Sequence, residues 1–243
     1  MPYATNNGVR IRYAVEGSGP SLLLHIGFIG GLEDWDDAGY VRPLARRFRV
    51  LRLDPRGQGQ SDKPHDPAAY ADLTTRIVEA LPDGPVDIVG FSLGAMTTLR
   101  LAMRQPDRFN RIVVAGVGRN LFERDLERGA RILAGVEGKA DPDDPEARLF
   151  GQYAAMPGND REALAALMRR PDEGVLDPAD LKVIECPVLV VIGDRDFAGP
   201  GDPLAAALPN ARLVVLRNTD HFATPESFGF IDAALEFLEA VPA

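Results

Sequence analysis

The stretch Val86-Asp87-Ile88-Val89-Gly90-Phe91-Ser92-Leu93-Gly94 decides how the rest of the chain is read. Val86 to Val89 is a short apolar run suited to a strand buried on both faces, and Leu93 to Gln105 carries a helical pattern. Between them lies Gly90-Phe91-Ser92-Leu93-Gly94, of the form G-x-S-x-G. A serine at such a sharp strand-to-helix turn has a strained backbone and a hydroxyl presented above the sheet edge. The glycines are needed because side chains there would strike the turn's neighbours. Five serines and 24 glycines in 243 residues would produce this pentapeptide by chance in about one sequence in twenty. The strand-turn-helix setting therefore counts for more than the letters, and it makes Ser92 the candidate nucleophile.

Similar apolar runs recur on either side: Leu22 to Leu24, Val50 to Leu53, Arg111 to Ala115, Pro187 to Ile192 and Arg212 to Leu216. Helical patterns separate them over Tyr40–Phe48, Tyr70–Leu81, Leu93–Gln105, Pro203–Leu208 and Pro225–Leu238. Strands alternating with helices imply an α/β fold, a mostly parallel sheet covered on both faces. A hairpin precedes it, with the turn dipeptide Asn7-Gly8 and the alternation Val9, Ile11, Tyr13. The rhythm breaks once, from Gly118 to Lys182, where no strand is evident. Helical stretches stand there instead, over Phe122–Val136, Pro145–Met156 and Asp160–Arg170, and the apolar stripe Leu164, Leu167, Met168 needs something to pack on. The expected organisation is a core domain of residues 1–117 and 183–243 with a helical insertion, 118–182.

The length suits one large domain, and 45% hydrophobic with 26% charged residues is ordinary for a globular protein. Asp plus Glu outnumber Lys plus Arg by 36 to 27, a net charge of −9. Nucleic acid and anionic membrane surfaces are poor partners for such a chain. Cys186 is the single cysteine, so no intramolecular disulfide forms, and its place beside an apolar run points to a buried structural thiol. No basic-then-apolar leader opens the chain and no apolar stretch reaches bilayer length, so a cytoplasmic location is expected.

A serine hydroxyl needs a base within hydrogen-bond reach. Three histidines are available: His25, His65 and His221. His221 follows the strand Arg212 to Leu216 in a short loop, and loops at the C-terminal ends of parallel strands share the rim that holds Ser92. His65 lies in a polar, proline-rich stretch and is expected to be solvated. The imidazole in turn needs a carboxylate to fix its tautomer. Gly193-Asp194-Arg195-Asp196 lies on the same rim and offers two, Asp194 and Asp196.

Four segments together resemble the α/β-hydrolase fold family, over essentially the whole chain. Asp54-Pro55-Arg56-Gly57-Gln58-Gly59-Gln60-Ser61 resembles the family's D-x-R-G-x-G-x-S stretch. Gly90 to Gly94 matches its nucleophile elbow, Gly193 to Asp196 its acid loop, and Asp220-His221-Phe222 its histidine loop. The resemblance implies an α/β-hydrolase fold with a small helical cap at 118–182, Asp196 as the acid, and an order Ser92, Asp196, His221. It also implies an oxyanion hole made by the backbone N–H groups of Phe28 and Leu93, the latter at a helix N-terminus that favours an anion. One departure stands out. The family's His-Gly after the third strand becomes His25-Ile26-Gly27-Phe28, and a one-residue shift in a strand turns a side chain to the other face. Aspartate-nucleophile chemistry, as in the family's dehalogenases and epoxide hydrolases, is not implied, because serine occupies that place.

The chemistry these residues imply is acyl transfer to Ser92 and hydrolysis of a small carboxylic ester, lactone or related acyl compound, with no metal or organic cofactor. The same triad also serves perhydrolysis, acyl transfer to other acceptors, carbon–carbon hydrolysis and lyase reactions, and a ligand-binding protein can retain it. The expected partner is a small-molecule acyl substrate, with the chain a monomer or homodimer. Phe28, Phe197 and Phe222 are expected to wall the site, with Phe91 in the core and Trp35 packed beneath the cap. Phe122, Phe150, Tyr153 and Met156 are candidates for its lining.

Overall fold

A computed structural model describes residues 2–6, 8–73 and 84–239. The apolar runs form one eight-stranded sheet: β1 (Tyr3–Asn6), β2 (Val9–Glu16), β3 (Ser21–His25), β4 (Arg49–Leu53), β5 (Val86–Phe91), β6 (Phe109–Ala115), β7 (Val188–Gly193) and β8 (Ala211–Leu216). Their order across the sheet is β1-β2-β4-β3-β5-β6-β7-β8. The β1–β2 and β2–β4 pairs are antiparallel, and every pair from β4–β3 to β7–β8 is parallel.

Successive side chains point to opposite faces of a strand, and the two faces pack on different helices. Leu23, Ile88, Ile112 and Val190 face α3 (Leu93–Arg104) and α7 (Asp202–Ala207), joining Leu99, Leu101 and Leu204. Leu22, Val89, Val113 and Val191 face α1 (Glu33–Asp37), α2 (Val41–Leu44) and α8 (Phe228–Phe237), joining Trp35, Leu44 and Phe230. A sheet buried on both sides explains why these strands read as continuous apolar runs.

Between β6 and β7 the chain forms α4 (Leu126–Val136), α5 (Pro145–Ala154) and α6 (Arg161–Met168). Each begins at an aspartate whose side chain accepts from the first turn: Asp125 from Arg128 N, Asp144 from Ala147 N, and Asp160 from Ala163 N. The α4–α5 contact is close because it is made of glycines. A Cβ on Gly135 would lie 2.0 Å from the Ala147 carbonyl oxygen, and one on Gly151 would lie 2.7 Å from that of Gly135.

Three local expectations are corrected. The helix expected over Tyr40–Phe48 is the four-residue α2, preceded by α1, whose single turn is too short to show a 3.6-residue period. Trp35 is fully buried in the sheet core, edge-on to Tyr40 at 5.0 Å, rather than beneath α4–α6. Cys186 is half-buried just before β7, and burial pushes its thiol up to about 11, so it stays protonated. Of the helix expected over Tyr70–Leu81, residues from 74 on lie outside the described residues; Pro67–Tyr70 forms a short 3-10 turn. No helix among the described residues is long and apolar enough to cross a membrane.

Candidate active site

Ser92 stands between β5 and α3 with φ 53° and ψ −118°, a conformation L-residues rarely adopt. Its amide donates to the Ala115 carbonyl at 2.8 Å, which anchors the turn to β6. The flanking glycines are sterically required. A Cβ on Gly90 would lie 2.8 Å from Ala95 Cα, and one on Gly94 would lie 2.2 Å from the His25 carbonyl oxygen. The turn is thus wedged between β3 and its own helix, and strain at Ser92 is held in place by contacts on both sides.

The loop after β8 brings His221 onto this turn. His221 Nε2 lies 2.9 Å from Ser92 Oγ, and Nδ1 lies 3.0 Å from each carboxylate oxygen of Asp196. Asp196 Oδ1 also accepts from Ala198 N at 2.8 Å, which fixes the carboxylate before the imidazole meets it. Asp194, left open by spacing, is exposed, and its Oδ1 accepts from Thr219 N at 3.3 Å. Asp194 therefore holds the histidine loop, while Asp196 faces the ring. His221 is 5% exposed and sandwiched by Phe91 and Phe197, with ring centroids 4.9 and 4.1 Å away.

The Gly27–Gly31 loop lies against the serine. A Cβ on Gly27 would come within 3.0 Å of Ser92 Cβ, so the loop backbone packs directly on the serine. The D-x-R-G stretch braces this loop: Gly30 N donates to Gln58 Oε1 at 3.2 Å and Leu32 N to Asp54 Oδ1 at 2.8 Å. Leu93 is the first residue of α3, so its N–H has no partner within the helix. Gly27 and Leu93 thus adjoin Ser92 from two elements.

His25, displaced by one residue from the family's pattern, braces the elbow rather than the loop. Its Nδ1 donates to the Gly94 carbonyl at 3.1 Å, and burial lowers its pKa to about 4, so the ring is neutral at pH 7. His65 is exposed but not free. Its two nitrogens lie 2.9 Å from Asp160 Oδ2 and 2.9 Å from Glu162 Oε2, at the start of α6.

Helices α4–α6 close on the same rim. Phe28 packs against Phe150 at 6.3 Å, and Phe222 lies 5.4 Å from Phe150 and 5.8 Å from Tyr153. Phe122 instead packs on the sheet core, and Met156 points to solvent at 53% exposure. One contact had no sequence signal. The Arg128 guanidinium, held by Glu146 at 2.6 Å, lies over the Phe197 ring, 3.4 Å from its centroid. Such a stack joins residues 69 positions apart in the chain, so no local pattern records it.

A sequence model of the α/β hydrolase fold matches residues 20–134. The enol-lactonase of Burkholderia xenovorans LB400 superposes with a TM-score of 0.77 at 26% identity, over 98% of this chain and 100% of that one. This chain has the α/β-hydrolase fold. Among curated proteins, an uncharacterized protein of Mycobacterium tuberculosis is 34% identical over 121 residues, which are 49% of this hydrolase-fold chain but 35% of that relative. The 2-(acetamidomethylene)succinate hydrolase of Mesorhizobium japonicum is 27% identical over 87% of this chain and 85% of its own. In this α/β-hydrolase-fold chain the elbow, acid loop and histidine loop all lie at the C-terminal ends of parallel strands, the rim where open α/β sheets bind ligands.

Proposed function

We propose that this α/β-hydrolase-fold protein is a serine hydrolase that cleaves a small carboxylic ester or lactone through an acyl-enzyme on Ser92. The observation that carries the reading is the His221 bridge, 2.9 Å from Ser92 Oγ on one side and 3.0 Å from Asp196 on the other. Asp196 accepts the Nδ1 proton, so the Nε2 lone pair faces the hydroxyl. Ser92 Oγ attacks the carbonyl carbon, its proton passes to Nε2, and the resulting imidazolium faces the Asp196 carboxylate. The oxyanion is held by the N–H groups of Phe28 and Leu93, where loss of one donor typically costs about 10² to 10³ in rate. Nε2 then protonates the leaving oxygen. Water activated by His221 hydrolyses the acyl-enzyme and restores Ser92.

Residues 118–182 serve as a cap in this reading, with Phe150 and Tyr153 meeting Phe28 and Phe222 to give the site an apolar wall. Excluding water there strengthens every charge interaction in the reaction. Similarity to an enol-lactonase over 98% of the chain supports the lactone class, and similarity to a 2-(acetamidomethylene)succinate hydrolase supports hydrolysis. The test is pre-steady-state hydrolysis of p-nitrophenyl acetate, beside an ester and lactone panel read by mass spectrometry. The reading expects a nitrophenol burst stoichiometric with protein that Ser92→Ala abolishes. Turnover that survives in Ser92→Ala overturns it.

A further inference from the structure

An open cleft of about 670 Å³ lies where α3 meets α4 and the segment that follows α6. That volume falls in the range of small-molecule sites, roughly 300–1,000 Å³. Met96, Ile132, Leu133 and Met168 give it an apolar side, and Leu126 and Val175 form an exposed apolar rim. Phe197 also lines it, and the Phe197 ring lies 4.1 Å from that of His221. Met96 stands one helical turn beyond Ser92, its amide donating to the Ser92 carbonyl. The cleft therefore adjoins the triad, but none of Ser92, Asp196 and His221 lines it.

Five arginines of this acidic chain border the cleft: Arg100, Arg119, Arg124, Arg128 and Arg170. Four are committed to carboxylates. Arg100 Nε lies 3.6 Å from Glu173, Arg119 Nε 3.6 Å from Glu123 and Arg128 Nη2 2.6 Å from Glu146, while Arg124 pairs with Asp172 through both Nη groups. Asp125, the remaining carboxylate of the lining, accepts from Arg128 N at the start of α4. Arg170 differs. Its Nη1 donates to the Leu167 carbonyl at 3.0 Å, and no ion pair joins it to a carboxylate among the described residues. Its Nε and Nη2 make no hydrogen bond among those residues, yet neither is sealed from solvent. Burial holds its pKa below the usual arginine range, and Arg100 and Arg124 add to that against Glu173 and Asp172. One cation without a counter-ion thus stands beside an apolar surface. Nε and Nη2 form the edge of a guanidinium that matches the two oxygens of a carboxylate. Asp172 and Glu173 oppose a second negative charge at the same place, which selects a monoanion over a dianion.

We propose that this cleft binds an organic monocarboxylate with an aliphatic body, its carboxylate held side-on by Arg170 Nε and Nη2 and its chain laid on Met96, Leu133 and Met168. Removing that chain from water favours binding in proportion to the apolar area covered. The proposal goes beyond the hydrolase reading and does not depend on Ser92 being a nucleophile.

The direct test is isothermal titration calorimetry of the wild-type chain at neutral pH and constant ionic strength. Three probes are compared: octanoate, acetate as the head group alone, and 1-octanol as the neutral chain. The expected result is one saturable octanoate site per chain, with acetate and octanol weaker by about ten-fold or more. Arg170→Met should weaken octanoate by about the same factor and leave octanol unchanged. If circular dichroism shows that this variant fails to fold, Val175→Glu at the exposed rim should weaken octanoate several-fold by repulsion and spare octanol. Octanoate that does not saturate overturns the proposal. So does octanoate binding no tighter than octanol, or octanoate binding unchanged in whichever variant folds, because the carboxylate is then not read by Arg170.

Discussion

Replacing Asp196 by asparagine isolates what the carboxylate does for His221. The side chain is fully buried and accepts from both His221 Nδ1 and Ala198 N, and asparagine has nearly its shape. Its amide presents either an oxygen or an NH₂ to Nδ1. In the second case the imidazole proton moves to Nε2, and the lone pair that should take the Ser92 proton is gone. In either case the imidazolium formed during attack loses its counter-charge. At 3.0 Å and an effective dielectric near 20, that attraction is worth about 5.5 kcal/mol. Each 1.36 kcal/mol is a factor of ten, so kcat should fall by about 10⁴. That is the size of the loss when the buried aspartate of the Ser-His-Asp template is made asparagine. Initial rates on p-nitrophenyl acetate give the ratio, with circular dichroism confirming the fold. Asp194→Asn is the control and should leave kcat within a few-fold, because Asp194 is exposed and its carboxylate accepts from the loop amide of Thr219 rather than from His221. A large loss in Asp194→Asn with little in Asp196→Asn would refute the reasoning.

Other perturbations follow from the same geometry. Gly94→Ala places a methyl 2.2 Å from the His25 carbonyl oxygen, a backbone atom that cannot rotate away. It should destabilise the protein by at least about 1–3 kcal/mol in urea unfolding, and an unchanged midpoint would contradict that wedge. The hydrogen bond to Asp160, then the charges of Asp160 and Glu162, raise the His65 pKa above its ordinary value. The stabilisation this gives α6 is therefore complete below the unfolded histidine value of about 6.5 and is lost as pH rises through the raised folded value. Hydrogen exchange in α6, corrected for intrinsic rates, should lose protection over that rise, and His65→Ala should remove the pH dependence. A double-mutant cycle of Arg128→Met and Phe197→Leu should give a coupling of about 0.5–1 kcal/mol in stability, and additivity would show the stack contributes nothing.

The strands and the Ser92 turn were legible because they are local, and the mostly parallel sheet followed from strands alternating with helices. β5 reads as an apolar run because both its faces are buried, and Gly90 and Gly94 are glycine because the turn has no room for a side chain. The two aspartates of the acid loop were not separable from spacing. Which one meets His221 depends on the path of a turn whose amides bind Asp194 and Asp196 differently. Nor could the sequence disclose that His65 reaches Asp160, 95 residues on, or that His25 serves the elbow through the Gly94 carbonyl. These contacts depend on how distant segments dock, and a polar residue in a proline-rich loop looks the same whether it docks or not. The short α1 and α2 were misjudged for a simpler reason: helices of five and four residues carry barely one turn of pattern.

The central claim is that Ser92 Oγ, activated by His221, is the atom that becomes acylated. Labelling with a fluorophosphonate, followed by peptide mapping, tests it most directly. The account predicts a single adduct on Ser92, formed in step with the loss of esterase activity and strongly slowed in His221→Ala. An adduct on another residue, or full ester turnover in protein whose Ser92 carries the adduct, would contradict it.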